Sequence, residues 1–136
     1  MEQLMDVRIA LEGATAADMA RKGTAEQITE LKTLLKGMAK AVDDPKSFAK
    51  LDMAFHIHLA ACSGNPLLYD LISAIRNQLS LGMETFLLTP QARPHSLKEH
   101  TAIFKRIHTR DAQGARAAMQ LHLEAAFRRY VQQAID

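Results

Sequence analysis

Helix stop-and-start signals divide this chain into six stretches of helical periodicity, and that punctuation leaves little room for any other fold class. The first stretch runs from Met1 to Lys22 with Leu4, Val7, Leu11 and Ala14 on one face. Gly23 suits a left-handed C-terminal position that ends it. Thr24-Ala25-Glu26-Gln27 is a capping box, in which each side chain satisfies the other residue's backbone N–H, and it opens a second helix reaching about Val42. Asp43-Asp44-Pro45 breaks the chain and restarts it, with Asp44 as N-cap and Pro45 in the first turn, where a missing N–H is tolerated.

The third stretch places Phe48, Leu51, Phe55, Leu59 and Cys62 on its apolar side. Ser63-Gly64-Asn65-Pro66 ends it and caps a fourth, which carries Leu68, Ile72, Ile75, Leu79, Met83 and Phe86. Thr89 to Pro94, with its two prolines, reads as a loop. Ser96-Leu97-Lys98-Glu99 is a second capping box, opening a fifth helix with Leu97, His100, Ile103, Phe104 and Ile107 on one face. Asp111 caps a sixth, from about Ala112 to Ala134. Nothing alternates as a strand would. The expected fold is an all-α antiparallel bundle of about six helices, one domain over residues 1–136.

Composition closes off several functions. Apolar residues are 48% and charged residues 24% of 136, enough to bury a core. Net charge is only +2 with both signs scattered, so no Lys/Arg block offers a nucleic-acid surface. The one cysteine, Cys62, excludes an internal disulfide and suits a reducing cytosol as a small apolar residue at a helix end. Met5, Met19, Met38, Met53, Met83 and Met119 fall near apolar positions, as gap-filling core or dimer packing requires. No apolar run is long enough for a bilayer, and the start lacks a signal peptide's order, so a soluble cytoplasmic domain with no membrane partner is expected. The first helical pattern begins almost at Met1 with no cap ahead of it. Either that helix starts the protein or the chain is a piece of something longer.

Against this background four residues carry chemistry. Asp52 and His56 are four apart and share one helical face; His100 and His122 lie on separate apolar faces. One carboxylate and three imidazoles turned toward one core would hold a divalent transition metal such as Zn, Ni or Mn, with Fe(II) also compatible. The same residues are equally readable as core histidines satisfied by hydrogen bonds. His58 points away from His56, His95 sits in the proline loop and His108 lies near a helix end, so these three are expected to be solvated or locally bonded. Arg8 falls at the edge of the buried face, where it is either a surface partner for Glu12 or a guanidinium available to a carboxylate.

Val7-Arg8 with Leu11-Glu12, Asp52-x-x-Phe55-His56, Ser63-Gly64-Asn65-Pro66-Leu67-Leu68, Glu99-His100-x-x-Ile103, and Asp111-x-x-x-Ala115 leading to Met119-x-x-His122-Leu123 recur in order along the whole chain. With these motifs the chain resembles the ligand-binding C-terminal domain of FadR-type regulators in the GntR superfamily. The resemblance implies a helical bundle enclosing a metal held by Asp52, His56, His100 and His122. It also implies a small organic acid as effector, bound by the metal and Arg8; Arg76 and Asn77, polar interruptions between Ile75 and Leu79, read either as lining of the same cavity or as the exposed flank of the helix. A homodimer is implied too, with DNA recognised only by an N-terminal winged helix-turn-helix that is absent from residues 1–136.

Two other functions compete with an effector sensor. A metalloenzyme would use an open metal position to activate water. Against it, no Glu is followed three residues later by His, no His-Glu-x-x-His occurs, and no general base beside the metal is evident. A metal-free helical interaction module would use the histidines only as core.

Overall fold

The computed structural model describes the backbone over residues 2–87 and 89–135, and side chains over 2–79 and 89–133. Six helices follow one another: α1 (Glu2–Lys22), α2 (Ala25–Lys40), α3 (Pro45–Ala61), α4 (Pro66–Leu87), α5 (Ala92–His108) and α6 (Ala112–Ile135). No strand occurs among the described residues. Short connections join them. α1 packs most extensively on α6, α5 on α6, α3 on α4 and α2 on α3, which makes the expected bundle.

Most of the expected caps form. Thr24 and Gln27 exchange hydrogen bonds with each other's backbone N–H at 3.1 and 2.9 Å. Asp44 caps α3 through the Ser47 N–H. Asn65 Oδ1 accepts from the N–H groups of Leu67 and Leu68, and Asp111 Oδ1 from that of Gly114. Each such cap contributes about 1 kcal/mol.

Three expectations are corrected. Gly23 is not left-handed; positive φ occurs at Gly64 (75°) and Arg110 (62°). Glycine is required at 23 for space, because a Cβ there would lie 2.5 Å from both the Met19 carbonyl oxygen and its sulfur. The Gly23 carbonyl instead accepts from the Arg110 guanidinium, which ties the end of α1 to the α5–α6 turn. Second, α5 starts at Ala92 rather than Ser96, and Ser96-Glu99 is no capping box. Pro94 falls within the first turn, where helices do not use the N–H, so it is no barrier to starting early. Ser96 and Glu99 are then inside the helix and serve the histidines described below.

Third, α1 buries a different face from the one its apolar residues suggest. Met5, Arg8, Glu12, Thr15, Ala16 and Met19 are buried, while Val7 is 45% exposed and Leu4, Leu11 and Ala14 are half-buried. The inward row contains an arginine and a glutamate because the bundle interior there is polar. Elsewhere the core is apolar: Phe48, Phe55, Leu59, Ile103, Ile107, Met119 and Leu123 are all buried. Burying each such side chain contributes roughly 1.5–3 kcal/mol. Met5, Met19, Met38 and Met119 join that core and Met53 is half-buried. Met1 and the side chains of Met83 and Phe86 lie outside the described residues. No helix among the described residues is long and apolar enough to cross a membrane.

Candidate metal centre

Asp52 and His56 stand one turn apart on α3 and face inward beside Phe55, which stacks edge-on against the rings of His56 and His100. α5 brings His100 and α6 brings His122 to the same point. The four residues are all buried, and one ligand atom from each lies within 4.8 Å of the others. The His56 and His122 rings stack at 5.4 Å, and those of His100 and His122 meet edge-on at 4.4 Å. The structure thus gathers the four residues that the sequence could only align on separate faces.

Each imidazole is held from behind. His56 Nδ1 lies 2.6 Å from Glu12 Oε1, His100 Nδ1 lies 2.7 Å from the Ser96 carbonyl oxygen, and His122 Nδ1 lies 2.7 Å from Glu99 Oε1. Those oxygens only accept, so each Nδ1 carries an N–H and the opposite nitrogen, Nε2, is the one available to a metal. Two of these nitrogens meet the carboxylate. His56 Nε2 and His100 Nε2 are 3.1 Å apart, and Asp52 Oδ1 lies 2.7 Å from the latter and 3.5 Å from the former. One carboxylate oxygen and imidazole nitrogens gathered this closely are a donor set that a divalent metal cation fits.

Electrostatics keep Asp52 and His122 in the forms a cation requires. Burial works to raise the pKa of Asp52, but hydrogen bonding from His100 and His56 outweighs it and holds the carboxyl well below the usual range. Burial and the adjacent His100 push His122 down to about 3, against the pull of Glu99, so its ring is neutral. Glu99 resists the effect of burial because Arg129 and His122 bond to it, which brings it down to about 2. Arg129 grips both Glu99 oxygens at 2.7 and 2.9 Å.

Beside the centre lies a second buried set. Glu12 Oε1 accepts from Arg76 Nε and Nη2 at 3.3 and 3.1 Å, and Oε2 accepts from Arg8 Nε at 3.1 Å. Arg76 Nη1 is 3.7 Å from Asp52 Oδ2, so the two sets touch. Arg8 Nη1 meets only the Met5 sulfur at 3.8 Å, and Arg8 Nη2 is buried with no partner among the described residues. The Ser73 hydroxyl, one turn before Arg76 on α4, is likewise buried without one. Burial and the charge of Arg76 pull the pKa of Arg8 down, with Glu12 opposing.

Arg8 and Arg76 therefore reach the centre, whereas Asn77 is exposed, a helical step of about 100° away from Arg76. His58 bonds the Gln27 carbonyl, His108 is exposed against Phe104, and His95 is exposed on α5 rather than in a loop. Cys62 ends α3, half-buried against the core. Glu12, Ser96, Glu99 and Arg129 were not legible as site residues. The one signal for two of them is that Glu12 and Glu99 stand in the motifs that carry the family resemblance, Glu99 also matching a capping pattern.

A family model described as FCD domain matches residues 3–125. The chain belongs to the FCD family. Its relatives include the HTH-type transcriptional repressor NanR of Klebsiella aerogenes, 31% identical over 129 residues that cover 88% of this chain and 46% of that protein. The HTH-type transcriptional regulator LutR of Bacillus subtilis is 32% identical over 131 residues, covering 90% of this chain and 58% of that protein. The FCD domain here spans about half the length of the curated relatives it matches. Among solved structures, Streptococcus agalactiae GntR superposes with a TM-score of 0.80 at 30% identity, covering 93% of this chain and 57% of that one. E. coli McbR/YncC superposes with a TM-score of 0.88 at 17% identity, covering 97% and 68%, a likeness of fold alone. The named relatives are regulators of transcription, and this is an FCD domain of the GntR-type regulators.

Proposed function

We propose that this FCD domain senses a small organic acid at a metal centre, as the regulatory half of a cytoplasmic, homodimeric transcription regulator. Asp52, His56, His100 and His122 would hold the divalent metal, with Zn, Ni and Mn the chemically suitable choices. When bound, the metal supplies Lewis-acid attraction for an oxygen of the effector. Arg8 would take a carboxylate through its outer nitrogens, and Arg76 would neutralise it from α4. DNA would be bound by a further N-terminal domain of the kind that the relatives' greater length accommodates.

The observation that carries this reading is the buried Arg8 Nη2 without a partner, on a guanidinium that shares Glu12 with His56 of the Asp52/His56/His100/His122 cluster. A buried guanidinium left half-satisfied is costly unless something anionic completes it. Charge points the same way. Arg8 and Arg76 balance Glu12 and Asp52, so a divalent ion leaves the site positively charged and receptive to an acid. Two relatives are named for a galactonate operon and an L-lactate dehydrogenase operon of E. coli, which favours hydroxy-carboxylates among the candidates. The site draws on α1, α3, α4, α5 and α6, so a ligand there would bias how these helices pack, as a population shift requires.

Calorimetry of the zinc-loaded domain with a panel of hydroxy and dicarboxylic acids tests this. At least one acid is expected to bind, with the Arg8→Ala variant weaker by about 10–100-fold, the loss of ~1.5–3 kcal/mol typical of a charged hydrogen bond. No binding by any acid, or full binding by Arg8→Ala, would refute the clamp.

A further inference from the structure

Glu12 bonds to both halves of the site, to a histidine of the metal centre and to both guanidiniums. Its Oε1 lies 2.6 Å from His56 Nδ1 and also accepts from Arg76, while its Oε2 accepts from Arg8. At 2% exposure it lies inside the bundle, where bulk water screens these contacts little. It thereby does two things at once. Through His56 it raises the basicity of the opposite ring nitrogen, the one aimed at Asp52 and His100. Through its own charge it occupies the guanidiniums as an incoming carboxylate would.

We propose that Glu12 is a positioning residue that couples the metal centre to the acid clamp with opposite signs: its charge strengthens metal binding and competes with the acid. This inference rests on the sensor reading above. An acid entering the clamp shares Arg8 with Glu12, which must give up part of its hold, so Glu12 sets the threshold of response. The inner end of that exchange is His56 on α3 and the outer end is Arg8 on α1, so the exchange links two helices that bear on each other.

Glu12→Gln keeps the shape and removes the charge. Zinc affinity, measured by competition with a chromophoric chelator, is expected to fall about 10–100-fold, the usual cost of losing a partner behind a ligating histidine. Affinity of the zinc-loaded variant for acetate, L-lactate or D-galactonate, measured by calorimetry, is expected to rise several-fold. Glu12→Asp keeps the charge with a shorter reach. It should lose zinc affinity in the same direction while leaving acid affinity near wild type, and it serves if the Gln variant does not fold.

Opposite shifts in Glu12→Gln support the coupling. Both affinities falling together would mark Glu12 as a structural prop and overturn it, as would two unchanged affinities. If the wild-type domain takes up zinc but none of the acids, the clamp reading fails by itself, and the zinc result still decides whether Glu12 supports His56. If wild type takes up no zinc, the sensor reading and the coupling fall together.

Discussion

Removing the metal with a chelator should lower the thermal midpoint of the wild-type domain by ~10 °C, and should leave a His100→Ala variant unmoved. An ion present at a hundred times its dissociation constant stabilises the folded state by about 2.7 kcal/mol, which for a chain of this size translates into that shift. The mechanism is local. His100 is fully buried between the Ser96 carbonyl and Asp52, so both of its ring nitrogens face oxygens that only accept. The ion would join Asp52 Oδ1, His56 Nε2 and His100 Nε2, and so tie α3 to α5. Alanine at 100 removes a ligand and with it the ion's grip. The variant is therefore less stable than the loaded wild type and indifferent to the chelator. Differential scanning fluorimetry with and without added zinc reads both arms. A wild-type midpoint that ignores chelator and zinc alike would sink the idea.

Arg76→Ala should be the most destabilising substitution in the second buried set, costing about 3–5 kcal/mol in urea unfolding of the metal-free domain. Arg76 is 2% exposed and supplies two hydrogen bonds to Glu12, with Asp52 close by. Its loss leaves two buried carboxylates facing each other with only Arg8 and the histidines to balance them. Much of the penalty comes from that stranded charge rather than from lost packing. Adding Glu12→Gln to Arg76→Ala should then recover stability, with an interaction free energy of about 1–3 kcal/mol in the double-mutant cycle. Simple additivity of the two variants would show that Arg76 and Glu12 are not partnered in solution.

The parts of this molecule that were legible in its sequence are those governed by local physics. The Thr24–Gln27 box, the Asp44-Pro45 start and the Asn65 and Asp111 caps are short-range devices, and each forms where its residues stand. The Asp52–His56 pair was legible because helical spacing alone puts residues four apart on one face. That His100 and His122 meet them depended on how α5 and α6 dock, which spacing within a helix cannot state. The resemblance to a known family supplied that step, and the geometry agrees with it.

On α1 the difference comes from pairing. Arg8 and Glu12 compensate each other, and that pair lets α1 turn a polar row inward while Val7 faces solvent. Hydrophobic periodicity counts single residues and is blind to a pair that is tolerable inside only as a pair. Ser96 and Glu99 differ for another reason. Their spacing mimics a capping box, but Ser96 presents its carbonyl to His100 and Glu99 its carboxylate to His122, so the helix begins earlier. Asn77 erred in the other direction: a polar residue beside Arg76 in sequence is one step round the helix from it in space, and it faces outward.

The central claim is that Asp52, His56, His100 and His122 form a metal site, and the most direct measurement is the metal content of the purified domain. Elemental analysis after purification without chelator, repeated after incubation with zinc and desalting, is expected to give about one transition metal per chain, and far less for His100→Ala. Wild-type protein that retains no stoichiometric metal after either treatment would contradict it, and would leave the three histidines as hydrogen-bonded core.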